Sequence, residues 1–202
     1  MASCAISTLS VMICMSGMVK FFDLSSSRSA SHSTFDFARS ALLFSATLRE
    51  IIHHLKYSDR VSLANPLGGI LKECLEREDF KGGLIVPVPL HRSRERTRGF
   101  NQAELIAAQL GLPVNTGLIR RRKNTPSQTG LTRNERRRNL AGAFEVRGPV
   151  NGDIILVDDV YTTGSTMNEI ARTLKRAGAE RVEVLTVARV AVGALYEPPR
   201  RS

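Results

Sequence analysis

The chain of 202 residues has no tryptophan and three tyrosines. It therefore has little of the planar surface on which single-stranded nucleic-acid binders stack bases. Acidic residues are also scarce, with 19 Asp and Glu against 29 Lys and Arg, a formal net charge of +10 and a pI near 10.2. Such a surface attracts anions, whether phosphate-rich small molecules, nucleic acid or acidic membrane, and charge alone does not choose among them. Three cysteines, Cys4, Cys14 and Cys74, form no CxxC pair. Their odd number argues against a disulfide framework and fits a reducing, cytoplasmic setting. Long apolar runs are missing too. The moderately apolar start, Ile6 to Val19, is broken by Ser10, Ser16 and Gly17 and has no basic residue before Lys20. It lacks the charged n-region of a secretion signal and is too short to span a bilayer, so the expectation is a soluble protein with no transmembrane segment.

What is present suffices for one domain, since 42% of residues are apolar and that fraction at this length buries a sizeable core. The Ser-rich stretch LSSSRSASHST at 24 to 34 cannot bury enough apolar surface to order itself. Residues 1–36 thus read as a divergent, poorly ordered arm, 37–192 as the globular domain and 193–202 as a tail. Leu48, Ile51, Ile52 and Leu55 recur at helical spacing, predicting an amphipathic helix that ends at Lys56 and Tyr57. A second helix is expected from Pro66 to Glu76, with Cys74 in the core. After Gly82 and Gly83 the apolar run Leu84 to Leu90 reads as a strand buried on both faces, ended within the run by Pro87 and Pro89. His91 to Gly99 reads as a basic loop. Asn101 and Glu104 resemble a capping box opening a helix to Leu110, where Gly111 and Pro113 stop it. A short strand near Val114 to Ile119, a long polar loop to Asn139 and strand-like spacing near Phe144 follow. The last third reads as a strand from Asp153 to Val157, a helix from Asn168 to Ala177 closed by Gly178, and a strand from Arg181 to Val190. Strands alternating with helices imply an α/β fold with a mainly parallel, twisted sheet flanked by helices.

Ligands of such sheets bind beyond the carboxyl ends of the strands, and Asp158 to Thr166 falls there by sequence order. Thr162, Thr163, Ser165 and Thr166 supply hydroxyls around Gly164, whose missing side chain lets backbone amides approach a phosphate. The helix that follows aims its free N–H groups and positive dipole end at the same place. Asp158 and Asp159 would repel that phosphate and so need another partner. The vicinal hydroxyls of a ribose, or a magnesium ion with its waters, satisfy them. Phosphate and diol together describe a ribose 5-phosphate. The segment lacks the lysine of a Walker A loop and the triple-glycine spacing of a dinucleotide fingerprint. A strand ending in two aspartates before a Thr-Gly turn can also serve only to cap a helix, but the full strand, carboxylate, hydroxyl-glycine and helix arrangement argues against that bland reading.

IILVDDVYTTGST, from Ile154 to Thr166, resembles the phosphoribosyl pyrophosphate signature of the type I phosphoribosyltransferases. The segments VPVPLHRSRERTRGFNQAELIA, LIRRRKNTPSQTGLTRNERRRNLAGAF and LKRAGAERVEVLTVAR, with HHLKYSDR upstream, are similar to the ComF family, also called competence protein F-like or amidophosphoribosyltransferase-like. The likeness runs from about Phe37 to Arg189. It implies that Asp158 and Asp159 are catalytic and that they bind phosphoribosyl pyrophosphate together with Thr162, Thr163, Gly164, Ser165 and Thr166. It further implies a pyrophosphate loop with contacts from Arg92 and Arg98, and a mobile hood loop over 120 to 139 carrying Thr125, Gln128, Leu131, Arg136 and Asn139. The basic runs Arg120 to Lys123 and Arg136 to Arg138 also fit plain solvated faces.

Magnesium accompanies the ligand in this reading, held through the ligand and through Asp158 and Asp159. Many family members carry a zinc ribbon of paired CxxC motifs, but Cys4 and Cys14 alone do not make four ligands, so zinc is not predicted. The implied activity is phosphoribosyl transfer to an unspecified acceptor with release of pyrophosphate. The rival is a non-catalytic binder of the same sugar phosphate that acts in DNA uptake and holds single-stranded DNA on its basic face, with Phe100 as a stacking candidate. Homodimerisation is left open.

Overall fold

A computed structural model describes residues 19–23, 33–58, 60–123 and 138–190. Four strands, β2 (Phe37–Leu43), β3 (Leu84–Pro87), β6 (Asp153–Tyr161) and β7 (Arg181–Arg189), pair in parallel in the order β2-β7-β6-β3. A further strand, β1 (Val19–Asp23), pairs antiparallel on the outside of β2. It lies within residues 1–36, so part of the stretch expected to be an arm enters the sheet at its edge.

The central strands are apolar on both faces because both faces are covered. In β6, Ile154 and Leu156 pack with Met167, Ile170 and Leu174 of helix α5 (Ser165–Arg176). Ile155 and Val157 face the other way, toward Leu48, Ile52 and Leu55 of α1 (Ala46–Tyr57) and Leu67 and Leu71 of α2 (Ala64–Arg77). A 3-10 turn, Val61–Leu63, joins α1 to α2. Ser45 caps α1, its side chain accepting from the Leu48 amide at 3.2 Å. Cys74 is buried in α2, and burial pushes its thiol up to about 12, which keeps it protonated and inert.

Beyond β3 come two short helices, α3 (Arg92–Arg98) and α4 (Gln102–Ala107), then a two-stranded antiparallel ribbon of β4 (Ile119–Arg121) and β5 (Phe144–Val146). The segment read as a basic loop is therefore helical. His91 starts it by accepting from the Ser93 amide, and Gly99 ends it in the left-handed region. Asn101 caps α4 as expected, accepting from the Ala103 amide at 3.0 Å while its side-chain amide donates to Glu104 at 3.2 Å. Several boundaries differ from expectation, among them the end of α4, at Ala107 rather than Leu110. The strand expected at Val114 to Ile119 is only a bridge from Val114 to Ile85, with the true strand beginning at Ile119. β6 continues past Val157 through both aspartates to Tyr161, and α5 begins at Ser165 rather than Asn168. Among the described residues no helix is long and apolar enough to cross a membrane.

One polar contact fixes the register of the edge strand β3. Glu183 of β7 is fully buried and accepts from the amides of Lys81 at 2.9 Å and Gly82 at 2.8 Å, while Arg181 donates to it at 2.8 Å. Gly82 lies so close to β6 that a Cβ there would meet Ile155 Cγ1 at 2.5 Å. The chain entering β3 is thus pinned against β6 by a carboxylate reaching from β7. Replacing Glu183 by alanine strands those amides in the interior at a cost of about 3 kcal/mol, a fall in Tm on the order of 10 °C. Thermal unfolding followed by circular dichroism measures it, and an unchanged Tm refutes the role.

Candidate functional site

The parallel arrangement sends the carboxyl ends of β3, β6 and β7 to one edge, and the site is built there. β6 delivers Asp158, Asp159 and Tyr161 before a tight turn leads into α5. Gly164 is the N-cap of that helix, with φ of 71°. A Cβ at Gly164 would run into the Tyr161 hydroxyl and approach its ring carbon Cζ at 2.8 Å. Both the left-handed backbone and the close approach therefore demand glycine. The Tyr161 ring is itself fixed, buried in the core edge-on to Phe35 with centroids 6.4 Å apart.

Among the described residues no side chain caps α5, and its first backbone bond of the i to i−4 type runs from the Asn168 amide to the Gly164 carbonyl at 2.8 Å. The amides of Ser165, Thr166 and Met167 thus open toward the turn, where the positive end of the helix dipole adds to them. Around them stand Thr162, exposed, and Thr163, Ser165 and Thr166, half-buried, with the Thr163 and Ser165 hydroxyls bonded to each other at 3.0 Å. This is the chemistry of an anion cradle.

The carboxylates sit on the other side of the turn. Asp159 is 4% exposed, and its Oδ2 forms an ion pair with the Lys56 ammonium from the end of α1. Asp158 is half-buried and accepts from the Asp159 amide at 2.9 Å. Burial, and then the charge of Asp159, push the Asp158 carboxyl well above the ordinary carboxylate range. Burial also acts to raise Asp159, but Lys56 outweighs it and holds that carboxyl below the ordinary range. Lys56 responds in kind: burial alone would lower it, and Asp159 holds it above the usual lysine value. Ionisation is thus favoured at Asp159 and disfavoured at Asp158.

The two arginines expected in one pyrophosphate loop stand at opposite ends of α3, about 9 Å apart along its axis. Arg98 lies beside the carboxylates, its guanidinium 5.0 Å from the centre of the Tyr57 ring and bonded to Gln102 at 2.6 Å, and its charge helps to lower Asp159. Arg92 lines a cleft of about 120 Å³ between the end of β3 and the β4–β5 ribbon. Among the described residues four arginines line that cleft, Arg92, Arg120, Arg121 and Arg147, against two glutamates, Glu95 and Glu104. Burial, then Arg94, pull Arg121 down to about 10, while Asp158 pulls the other way, which makes Arg121 the link between cleft and carboxylates. Among the described residues no cluster of three or more His, Cys, Asp or Glu side chains is set to hold a metal ion.

Thr125, Gln128, Leu131 and Arg136 of the expected hood lie outside the described residues, as do Cys4 and Cys14, while Asn139 is exposed in the helical residues 138–140 that precede the turn into β5. The roots of the 124–137 segment are described and tied together. The Arg122 amide donates to the Ala143 carbonyl at 2.7 Å, Lys123 Nζ to the Ala141 carbonyl at 2.7 Å, and the Gly142 amide to Glu169 of α5 at 2.9 Å.

Lys56 and Arg121 are the site residues that the sequence reading left without a role. Lys56 had a signal: it follows Ile52 by four residues and so flanks the apolar stripe of α1, where an unpaired lysine is costly. Arg121 had none beyond its basic run.

A glycine turn opening a helix, a carboxylate pair and a parallel sheet thus meet at one edge of the molecule. Residues 96–201 match the phosphoribosyl transferase domain family. Over 156 residues the chain is 37% identical to the DNA utilization protein YhgH of Escherichia coli K12, covering 72% of this chain and 69% of that protein. It is 42% identical over 113 residues to competence protein F of Haemophilus influenzae, covering 52% of this chain and about half, 49%, of that one. With competence protein ComFC of Bacillus subtilis it shares 31% identity over 142 residues, 69% of this chain and 58% of that one. A hypoxanthine phosphoribosyltransferase of Staphylococcus aureus superposes only shallowly, with a TM-score of 0.41 at 11% identity over 72% of this chain and 78% of that one. The chain belongs to the ComF family of proteins with a type I phosphoribosyltransferase fold.

The charge distribution in the carboxylate pair fixes a pH dependence. A carboxyl raised in the folded state contributes its full stability below the unfolded value and loses it as pH rises through the folded one; Asp159, lowered, behaves in the opposite sense. Asp158→Asn cannot ionise, so its Tm should gain on the wild type as pH climbs above the ordinary carboxylate value of about 4, with the gap closing below it. A gap that stays constant as pH rises refutes the raised carboxyl at Asp158.

Proposed function

We propose that the protein binds phosphoribosyl pyrophosphate with magnesium and transfers the phosphoribosyl group to an acceptor, releasing pyrophosphate. One observation carries the reading: the uncapped amides of α5, with Gly164 and its flanking hydroxyls, lie one turn from Asp158 and Asp159. An anion cradle and paired hydroxyl acceptors at that spacing suit the two ends of a ribose 5-phosphate. The backbone and hydroxyls of Thr162 to Thr166 anchor the 5-phosphate. Asp158 and Asp159 accept from the ring hydroxyls and stabilise the positive charge that grows on the ring as the bond at C1 breaks. Arg92, Arg121 and Arg147, lining the cleft, offer guanidinium groups to the departing pyrophosphate.

Two adjacent carboxylates suit magnesium carried mainly by ligand oxygens and water, touching the protein through Asp158 and Asp159. There it would neutralise the leaving group's charge. The anchor and the carboxylates need no motion to act, so the protein's share of the chemistry is orientation and preorganised charge.

A second reading is favoured by the names of the relatives, which speak of competence and DNA utilization. In it the same pocket senses the sugar phosphate, and the excess of 29 basic over 19 acidic residues serves single-stranded DNA.

Calorimetry of phosphoribosyl pyrophosphate with magnesium tests the first reading. Wild type should bind, and the double variant Asp158→Asn, Asp159→Asn should not; silence in the wild type, or equal heats from both, overturns it. Where an acceptor supports turnover, either single Asn variant should lower the rate on the order of 10²-fold, as lost electrostatic preorganisation does. Oligonucleotide binding that weakens steeply with salt and ignores both variants would favour the second reading.

A further inference from the structure

Lys56 reaches the site from another element and makes no use of solvent to do so. Its stem flanks the apolar stripe of Leu48, Ile52 and Leu55, its side chain is 22% exposed, and its ammonium meets the Asp159 carboxylate, which is 5% exposed. Among the described residues, Oδ2 of Asp159 is buried and has no conventional hydrogen bond besides this ion pair. Arg98 adds positive field nearby, but its guanidinium is engaged by Tyr57 and Gln102. Lys56 is therefore the cation in contact among the described residues.

A site that must hold an anionic phosphate beside two adjacent carboxylates has an electrostatic problem. The carboxylates repel each other and the ligand, and a side chain under such repulsion turns away. We propose that Lys56 is a positioning residue for the sugar. By clamping Asp159 it fixes the acceptor geometry of the carboxylate pair toward the ribose hydroxyls and screens the pair from the phosphate anchored one turn away. The assignment rests on the reading of the site given above. It also separates two kinds of binding: the phosphate is held by backbone amides that Lys56 does not touch, whereas the hydroxyls are held through the carboxylate that it does.

Ribose 5-phosphate and 2-deoxyribose 5-phosphate differ only in the 2-hydroxyl, so the ratio of their affinities reads the carboxylate pair and cancels the phosphate anchor. Titration calorimetry on the wild type should favour ribose by about tenfold. Lys56→Met and Lys56→Gln should bring the preference to within about twofold while affinity for the deoxy sugar holds, and Lys56→Arg should restore most of it. Lys56→Gln keeps a donor facing Asp159 and decides the matter if Lys56→Met does not fold. An unaltered ratio in a folded variant overturns the role, and so does an equal loss for both sugars, which is what a merely structural lysine gives. A wild type that binds neither sugar, or both alike, sinks the reading of the carboxylate pair itself and the role of Lys56 with it.

Discussion

Ending a doubly covered central strand in two aspartates is costly, because an ion taken out of water carries an effective penalty of several kcal/mol unless an opposite charge meets it. Much of the arrangement around β6 answers that constraint. α1 lies so that its last turn brings Lys56 onto Asp159, and α3 ends so that Arg98 adds its field. Asp158, with no cation in contact among the described residues, accepts from the Asp159 amide and is pushed up by burial and by the charge of Asp159. Ionisation is thus favoured at one carboxylate and disfavoured at the other, which limits the negative charge set next to the anion cradle.

That economy of charge divides the edge of the sheet into three chemistries. The cradle at Gly164 works through backbone amides and tolerates little change of shape, because Tyr161 fills the space where a side chain would stand. The carboxylates work through a fixed charge supported from α1. The cleft past β3 works through an excess of guanidinium groups, softened by Glu95 and Glu104. α3 spans two of these regions, with Arg98 at the carboxylates and Arg92 in the cleft. A helix of 7 residues can serve both because arginine is long and its head is rigid.

What was legible in the sequence was local. IILVDDVYTTGST carries its own geometry, since buried strand, carboxylates, glycine turn and helix follow one another without a gap. The parallel sheet was legible from the alternation of apolar runs with helical periods, and the Asn101 cap from its spacing to Glu104. What escaped was either long-range or contrary to a composition rule. The Lys56–Asp159 pair joins residues half the chain apart, and no pattern near either one states it. α3 is rich in arginine and read as a loop, yet His91 and Gly99 cap it into a helix. β2 went unread because FARSALL mixes Arg39 and Ser40 into a strand whose polar members are satisfied only in the fold, Arg39 by Glu78 at 2.6 Å and Ser40 by Thr186 at 2.5 Å. The far end of β6 was cut short because two aspartates look like a strand's end, when they are a strand's functional continuation.

The ties at Arg122, Lys123 and Gly142 make the β4–β5 ribbon and α5 one mechanical unit. Arg122 is fastened to Ala143 and Lys123 to Ala141, and the Gly142 amide fastens the ribbon to Glu169 of the helix whose amides open at Gly164. The ribbon also carries Arg120 and Arg121 into the cleft. A displacement of the ribbon is therefore transmitted to the Gly164 turn through packed, hydrogen-bonded elements, so that guanidinium groups and backbone amides shift in concert rather than one by one.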